Sequence, residues 1–492
     1  MTAHTDHAVV IGASIGGLLA ARALSESFTQ VTVVERDVLP AGAVQRQGVP
    51  QARHAHGLLA RGREALDELF GGLTQELVSL GAPLGDVQAN VRWINGGRSM
   101  RQAPPGMFGL GVSRLLLEDR VRARVVALPN VRILDGCDAV GPTATADGRR
   151  VTGLRVMRRA QGSAAEILDA DLVVDASGRG SRSPVWLTEL GHPAPRQDEI
   201  RIGMTYVSRA YRRDAGIPFG VLVAGTVANP RGGVMLPQED DRWLVSLGGM
   251  LGEAPPLDHA GYTAYAQMLP SPAIHEVIRD AEPLGDAVRF RYPASIRRRY
   301  EDLRSVPDGY LVFGDAICSF NPFYGQGMTV AAVEALELRR CLAAGTDRLA
   351  RRFFRAAARF VDVVWDISVG GDLRFPEVEG PRTRKVRIVN AYLDRLYVAA
   401  EHDPEVGRRF LRVVNLLDRP ERLLSPRTVR RVLRGSARSI RPPSRGCRCP
   451  GEVFGVTARG PVQGRGRLLT ATRRAEPCEQ VVRVSAATVS RR

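Results

Sequence analysis

Residues 8–11, Ala-Val-Val-Ile, are uninterrupted apolar chain, and the turn after them is built of small residues, Gly12-Ala13-Ser14-Ile15-Gly16-Gly17. A short apolar run that stops at glycine predicts a strand buried on both faces with a tight exit. Residues 16–25 repeat their apolar positions at helical spacing, and VTVVER (31–36) predicts a second buried strand ending in charge. Strand, glycine turn, helix and strand in this order make a βαβ unit.

The pattern continues with a helical stretch over Leu58–Leu80 and a hairpin over 91–101 that turns at Gly96-Gly97. An amphipathic helix is predicted over 113–128, and strands over 151–157 and 169–178. Between 200 and 295 strand-like runs dominate. In GGVMLPQEDDRWLVSLGG the polar trio Glu239-Asp240-Asp241 predicts a turn between two apolar arms. GYLVFGDA (309–316) returns to a buried strand, and 328–435 reads as mainly helical. The expected fold class is α/β. The α/β segments 1–90, 111–195 and 301–345 are expected to assemble into one domain, interrupted by a hairpin (91–110) and by a mainly β domain (196–300). A helical region (346–435) follows. Residues 436–492 have no period, are rich in Arg, Gly, Pro and Ser, and predict a disordered tail.

Charge changes this picture less than its total suggests. The formal net charge is +17, but 16 arginines against three acids between Arg427 and Arg492 supply +13 of it. The other 426 residues carry +4, an ordinary protein surface. A nucleic-acid-binding protein working through the basic tail is therefore a distant alternative, and no nucleic-acid partner is expected. The six cysteines (137, 318, 341, 447, 449, 478) form no repeating framework and read as reduced thiols of a cytoplasmic protein. Cys447-x-Cys449 lacks a second pair or a nearby histidine cluster, so no metal site is expected. No stretch approaches the roughly 20 apolar residues of a transmembrane helix, so none is expected.

The small residues of the first turn have distinct tasks in a dinucleotide site. The first glycine makes the turn, the second lets backbone approach a pyrophosphate, and the third lets helix pack on strand. Here these positions are Gly12, Ser14 and Gly17. Serine is small and its hydroxyl can bond a phosphate oxygen. Glu35, 18 residues beyond Gly17, stands where a ribose-binding acid is expected and favours FAD or NAD over NADP. A second signal is the strand break in DLVVDASGRGSRS (171–183). The third, GDAICSFNPFYGQGM (314–328), separates the two nucleotides. Its Asp315 carboxylate suits polyol hydroxyls, and the helix start at Gly325-Gln326-Gly327 suits negative charge. FAD has a ribityl chain that needs such a loop; NAD does not.

Together these residues resemble the FAD-dependent monooxygenases of the para-hydroxybenzoate hydroxylase fold, over about residues 8–430. By that resemblance Gly12, Ser14, Gly17 and Glu35 fall on ADP-binding positions, with Gly16 and Arg36 beside them. Asp315 falls on the aspartate that binds the ribityl chain. Pro322, Gly325, Gln326 and Gly327 fall on the loop and helix start beside the isoalloxazine ring. Arg114, in VSRLLLED, falls on an arginine that opens a helix and contacts FAD. The departures are Ser14 in place of glycine and DASGR where many members carry a DG motif. Within the family GVPQARHAHGLL (48–59), LVVDASGRGSRSP (172–184) and the 314–328 stretch are most similar to bacterial flavin epoxidases of polyether biosynthesis, relatives of squalene epoxidase.

The resemblance implies that reduced FAD meets O₂ as a C4a-hydroperoxide and passes one oxygen to an alkene or an electron-rich ring. Such chemistry needs position and dryness more than a catalytic side chain, and no catalytic residue is assigned. His54 and His56 are candidate ring neighbours, set against a structural loop role. Trp243 is expected to pack the substrate-domain sheet, and Tyr324 is a pocket candidate. With one fingerprint visible, electrons must come from NAD(P)H bound transiently or from a separate flavin reductase. The apolar 200–295 region favours a small lipophilic substrate, olefinic or polyketide-like, of secondary metabolism. A reductase of isoprenoid double bonds is the enzyme alternative. A flavin halogenase needs a lysine after the first βαβ unit, and the chain's one lysine is Lys385.

Overall fold

In a computed structural model of the chain, residues 6–440 are described, apart from Pro105 and 214–219. The expected disorder beyond 440 and Cys447, Cys449 and Cys478 fall outside the described residues. Cys137, Cys318 and Cys341 are buried and free.

A five-stranded parallel sheet forms the first layer, in the order Tyr310–Val312, Leu172–Asp175, His7–Ile11, Gln30–Val34 and Val131–Leu134. Its central strand is buried at every position, as the apolar run requires. The helix Ile15–Leu24 packs beside the helix Gly327–Ala343, so the first and third segments of the domain share one core. The chain crosses from the central strand to one neighbour directly and reaches the other only at Leu172. The carboxyl edge between those strands is a topological switch point, where open α/β sheets bind ligands. Gly12, Glu35, Ala176 and Phe313-Gly314-Asp315 all emerge there.

The second layer is an eight-stranded sheet ordered Cys318–Ser319, Val288–Arg298, Gln197–Arg212, Arg242–Gly249, Arg231–Gln238, Gly220–Val223, Val91–Asn95 and Arg98–Ser99. The hairpin at 91–99 joins this sheet through a parallel pair with Gly220–Val223, turning at Gly96 and Gly97, both with positive φ. Alternation divides the sheet. Ile94, Val221, Val223, Met235, Trp243 and Val245 face a core closed by Tyr262, Tyr265, Ile274 and Ile278. Trp93, Leu222, Val234 and Leu236 face the opposite way. The polar turn forms with Asp240 and Asp241 at positive φ (59° and 46°), a conformation aspartate tolerates. Glu239 is buried and accepts from the Ser113 N–H at 3.0 Å, tying the turn to the start of the helix Arg114–Val126.

The stretch 58–80 is two helices, Ala60–Leu69 and Leu73–Ser79, parted at Gly71-Gly72, with Gly72 at φ 78°. The C-terminal region holds the long helix Leu349–Asp372, then Arg384–Ala400, Pro404–Val414 and Pro426–Ile440. The last runs five residues past Gly435, where the expected tail begins; Gly435 itself lies against Ala399, and a Cβ there would come within 2.8 Å of it. No helix among the described residues is long and apolar enough to cross a membrane.

Candidate functional site

The first turn is as tight as its composition demands. Gly12 has φ 98°, and a Cβ on Gly17 would stand 1.7 Å from the Gly12 carbonyl oxygen. Gly16 lies toward Phe313. Ser14 caps the helix in extended conformation but makes no side-chain cap bond. Its hydroxyl instead accepts from Arg114 Nη2 at 2.9 Å and donates to Glu118 Oε2 at 3.3 Å.

A buried ionic cluster grows from this point. Arg114 bonds Glu118 Oε2 at 3.0 Å, and Arg46 bonds Glu118 Oε1 at 3.0 Å. Arg46 also pairs with Glu35 and Asp37, each at 3.2 Å. Burial would raise the Glu118 carboxyl, but Arg114 and Arg46 outweigh it and hold it below the usual range. Glu35 accepts from the backbone N–H of Ala13 at 2.8 Å, so the second strand's acid braces the first turn. Arg36 turns outward, half exposed, with Asp37 at 3.7 Å as its partner.

Asp315 follows the strand Tyr310–Val312 at the carboxyl end of the parallel sheet. It is exposed, yet the surrounding protein raises its carboxyl, against the pull of Arg114 and then Arg179. A Cβ on Gly327 would lie 3.8 Å from Asp315 Oδ1, so the third segment's carboxylate and helix start are neighbours. Beneath them Glu334 accepts from the Gly314 N–H at 2.7 Å, and burial pushes its carboxyl up to about 7. Gly325 has φ 64°, Pro322 is exposed, and the buried Gln326 amide has no partner on either atom. Arg114 thus meets the fingerprint turn at Ser14 and Gly327 meets Asp315, while Arg36 turns away from both.

The two histidines divide their roles. His54 is buried, bonds Ser208 through Nδ1 at 2.8 Å and packs edge-on against Tyr206 and Phe290. Burial lowers its pKa to about 4, so it bridges the first segment to the eight-stranded sheet as a neutral ring. His56 is half-buried and lies within electrostatic reach of Arg114. Its Nδ1 lies 2.8 Å from the His54 carbonyl oxygen, and burial followed by Arg114 lowers its pKa to about 3. Trp243 is fully buried in the far face of the substrate sheet.

Beyond the 321–325 loop opens a cavity of ≈ 1020 Å³, walled by the free face of the eight-stranded sheet and by the C-terminal helices. Val91, Trp93, Leu222, Val234, Leu236 and Phe410 give it an apolar lining. Asn95 extends the Val91–Trp93 row with an amide nitrogen that is buried and unpartnered. Tyr324 lines the cavity and donates to Asp372 Oδ1 at 3.2 Å. Sequence reasoning missed Arg46, Glu118, Asn95 and Asp372. Of these, Asp372 left a trace, an acid closing the otherwise uncharged ISVGGD (367–372).

A flavin dinucleotide fits this arrangement. Open space surrounds Gly178, Gly180 and Gly314, where a Cβ would meet nothing within 4 Å, and two buried arginines flank the fingerprint turn. The comparisons agree. No family model matches the chain. It is 37% identical over 430 residues to Protein Rv3254 of Mycobacterium tuberculosis, covering 84% of this chain and 90% of that protein. Kynurenine 3-monooxygenase of Salinispora arenicola is 28% identical over 404 residues, 76% of this chain and 81% of the relative. Among solved structures, the flavin-dependent brominase Bmp2 superposes with a TM-score of 0.62 over 89% of this chain and all of that one (100%). At 15% identity that likeness concerns the fold. The chain belongs to one family with Protein Rv3254, within the FAD-dependent monooxygenases of the para-hydroxybenzoate hydroxylase fold.

Proposed function

We propose that the chain inserts one oxygen atom of O₂ into a lipophilic substrate, olefinic or polyketide-like, by epoxidation or hydroxylation. The observation that carries this reading is the apolar cavity of ≈ 1020 Å³ opening directly on the 321–325 loop. A cavity of this size suits a lipophilic molecule, and its apolar wall would keep water from the reacting end.

FAD, when bound and reduced, supplies the activation of O₂. The chain's own groups supply position. Gly12 to Gly17 and Arg114 would take the pyrophosphate, with Arg46 behind them, and Glu35 the adenosine ribose. Asp315 would take the ribityl hydroxyls. Gly325 to Gly327 would place the helix start of Gly327–Ala343 against the ring's polar edge, and the unpartnered Gln326 amide offers it both a donor and an acceptor. His56, neutral and held by the His54 carbonyl, would present Nε2 as an acceptor toward the cleft. The electron source is NAD(P)H in transient contact or a flavin reductase.

The test is turnover under ¹⁸O₂ with reduced flavin and olefinic or polyketide probes. One labelled oxygen per product is the expected result. Product formed equally without O₂ would replace this reading with a reductase of isoprenoid double bonds.

A further inference from the structure

Asp372 ends the 24-residue helix Leu349–Asp372 and is completely buried. A carboxylate is poorly placed there, because the C-terminal end of a helix carries partial negative charge. No basic side chain among the described residues forms an ion pair with it. Its Oδ1 accepts from Asn321 Nδ2 at 2.8 Å and from the Tyr324 hydroxyl at 3.2 Å. Its Oδ2 has no partner.

Both donors belong to the loop beside the expected flavin ring. Asn321 also accepts from the Phe323 N–H at 3.1 Å, so it shapes the turn Pro322–Tyr324. Tyr324 is pressed onto the helix, since a Cβ on Gly371 would overlap its hydroxyl at 2.1 Å. Asp372 thus joins the wall of the substrate cavity to the loop at its inner end. A neutral carboxylic acid would bind these two donors more weakly than a carboxylate.

We propose that Asp372 is a positioning residue whose ionised carboxylate, through Asn321 and Tyr324, holds the 321–325 loop in register with the cavity wall. The inference rests on the FAD reading of the site. The titratable groups around it are Tyr324 from the loop, Arg374 from the segment after the helix, and Tyr397 from Arg384–Ala400. Arg374 is engaged by Asp394 and reaches Tyr324 only through space. Burial pushes the Asp372 carboxyl up to about 7, against its two hydrogen bonds, so its ionisation falls in an accessible window. Glu334, also raised to about 7, is a competing group to separate from it, because it bonds the backbone beside Asp315.

The experiment is a titration of the visible absorbance and fluorescence of the FAD-loaded full chain from pH 5.5 to 8.5. The wild type should show a one-proton transition near 7 in the bound flavin's signal. Asp372→Asn should abolish it with an FAD dissociation constant within threefold of wild type. Asp372→Glu should restore a transition, Tyr324→Phe should move it to higher pH, and Glu334→Gln should leave it in place. A pH-independent wild-type signal, or the same transition in Asp372→Asn, overturns the proposal. So does a transition that Glu334→Gln removes. Should Asp372→Asn fail to fold, the Tyr324→Phe shift decides, and an unmoved transition overturns it. Protein that takes up no FAD at all fails the cofactor reading itself and is seen before any titration.

Discussion

The hydroxyl of Ser14 accepts a hydrogen bond from Arg114 Nη2 at 2.9 Å across 100 residues of chain, and passes one to Glu118. The residue that departs from the glycine fingerprint is therefore an anchor for the arginine of the second segment. Glycine would preserve the turn and lose the anchor.

Ser14→Gly is accordingly expected to fold and to weaken FAD binding. A typical net hydrogen bond is worth about 0.5–1.5 kcal/mol, about twofold to tenfold in the dissociation constant. Titration of the deflavinated variant with FAD measures it. Tighter binding in the glycine variant would show that the serine hinders the pyrophosphate instead.

Asp315→Ala removes an exposed carboxylate from the end of the strand Tyr310–Val312. Hydrogen bonds to a charged group contribute roughly 1.5–3 kcal/mol, so FAD affinity should fall by roughly tenfold to 150-fold. The same titration reads it. An unchanged constant in folded protein would place the ribityl chain elsewhere.

His54 gives a stability prediction with a definite sign. Its folded pKa is about 4 and the ordinary value is 6.5, so between these the unfolded chain binds a proton that the folded chain refuses. Stability is then lost as pH falls from 6.5 toward 4, by up to about 1.4 kcal/mol per pH unit. Asn in place of His54 keeps a partner for Ser208 and removes the titration. Urea unfolding of wild type and His54→Asn should show their difference growing in favour of the variant toward acid pH. A constant difference would mean that His54 titrates normally.

Val234 and Leu222 line the cavity from adjacent strands. Val234→Trp should fill that wall, leave one FAD per chain and sharply raise KM for any lipophilic substrate the wild type converts. Equal KM values would put the substrate outside this cavity.

The sheet strands and the first turn were legible because burial on both faces forces continuous apolar runs, and a turn this tight forces glycine. Asp315 was legible because an acid at the end of a buried strand is conspicuous. Arg46, Glu118 and Asp372 were not. Their significance comes from partners 72, 104 and 51 residues away, and no local period records such a meeting. The helix boundary beyond Gly435 was misplaced for the same reason. Tail composition suggests an end there, while the helix, packed on Arg384–Ala400, continues to Ile440.

The order of the parallel sheet also sets when, during synthesis, each strand can find its partner. The strand His7–Ile11 gains its first partner at Gln30 but its second only at Leu172, and that one is flanked only when Tyr310 arrives. Until Tyr310 has been made, an apolar strand edge therefore lacks its partner. Slow, long-range parallel pairing of this kind exposes a nascent chain to aggregation. Yield on overexpression should depend on chaperone supply more than on the final stability of the fold.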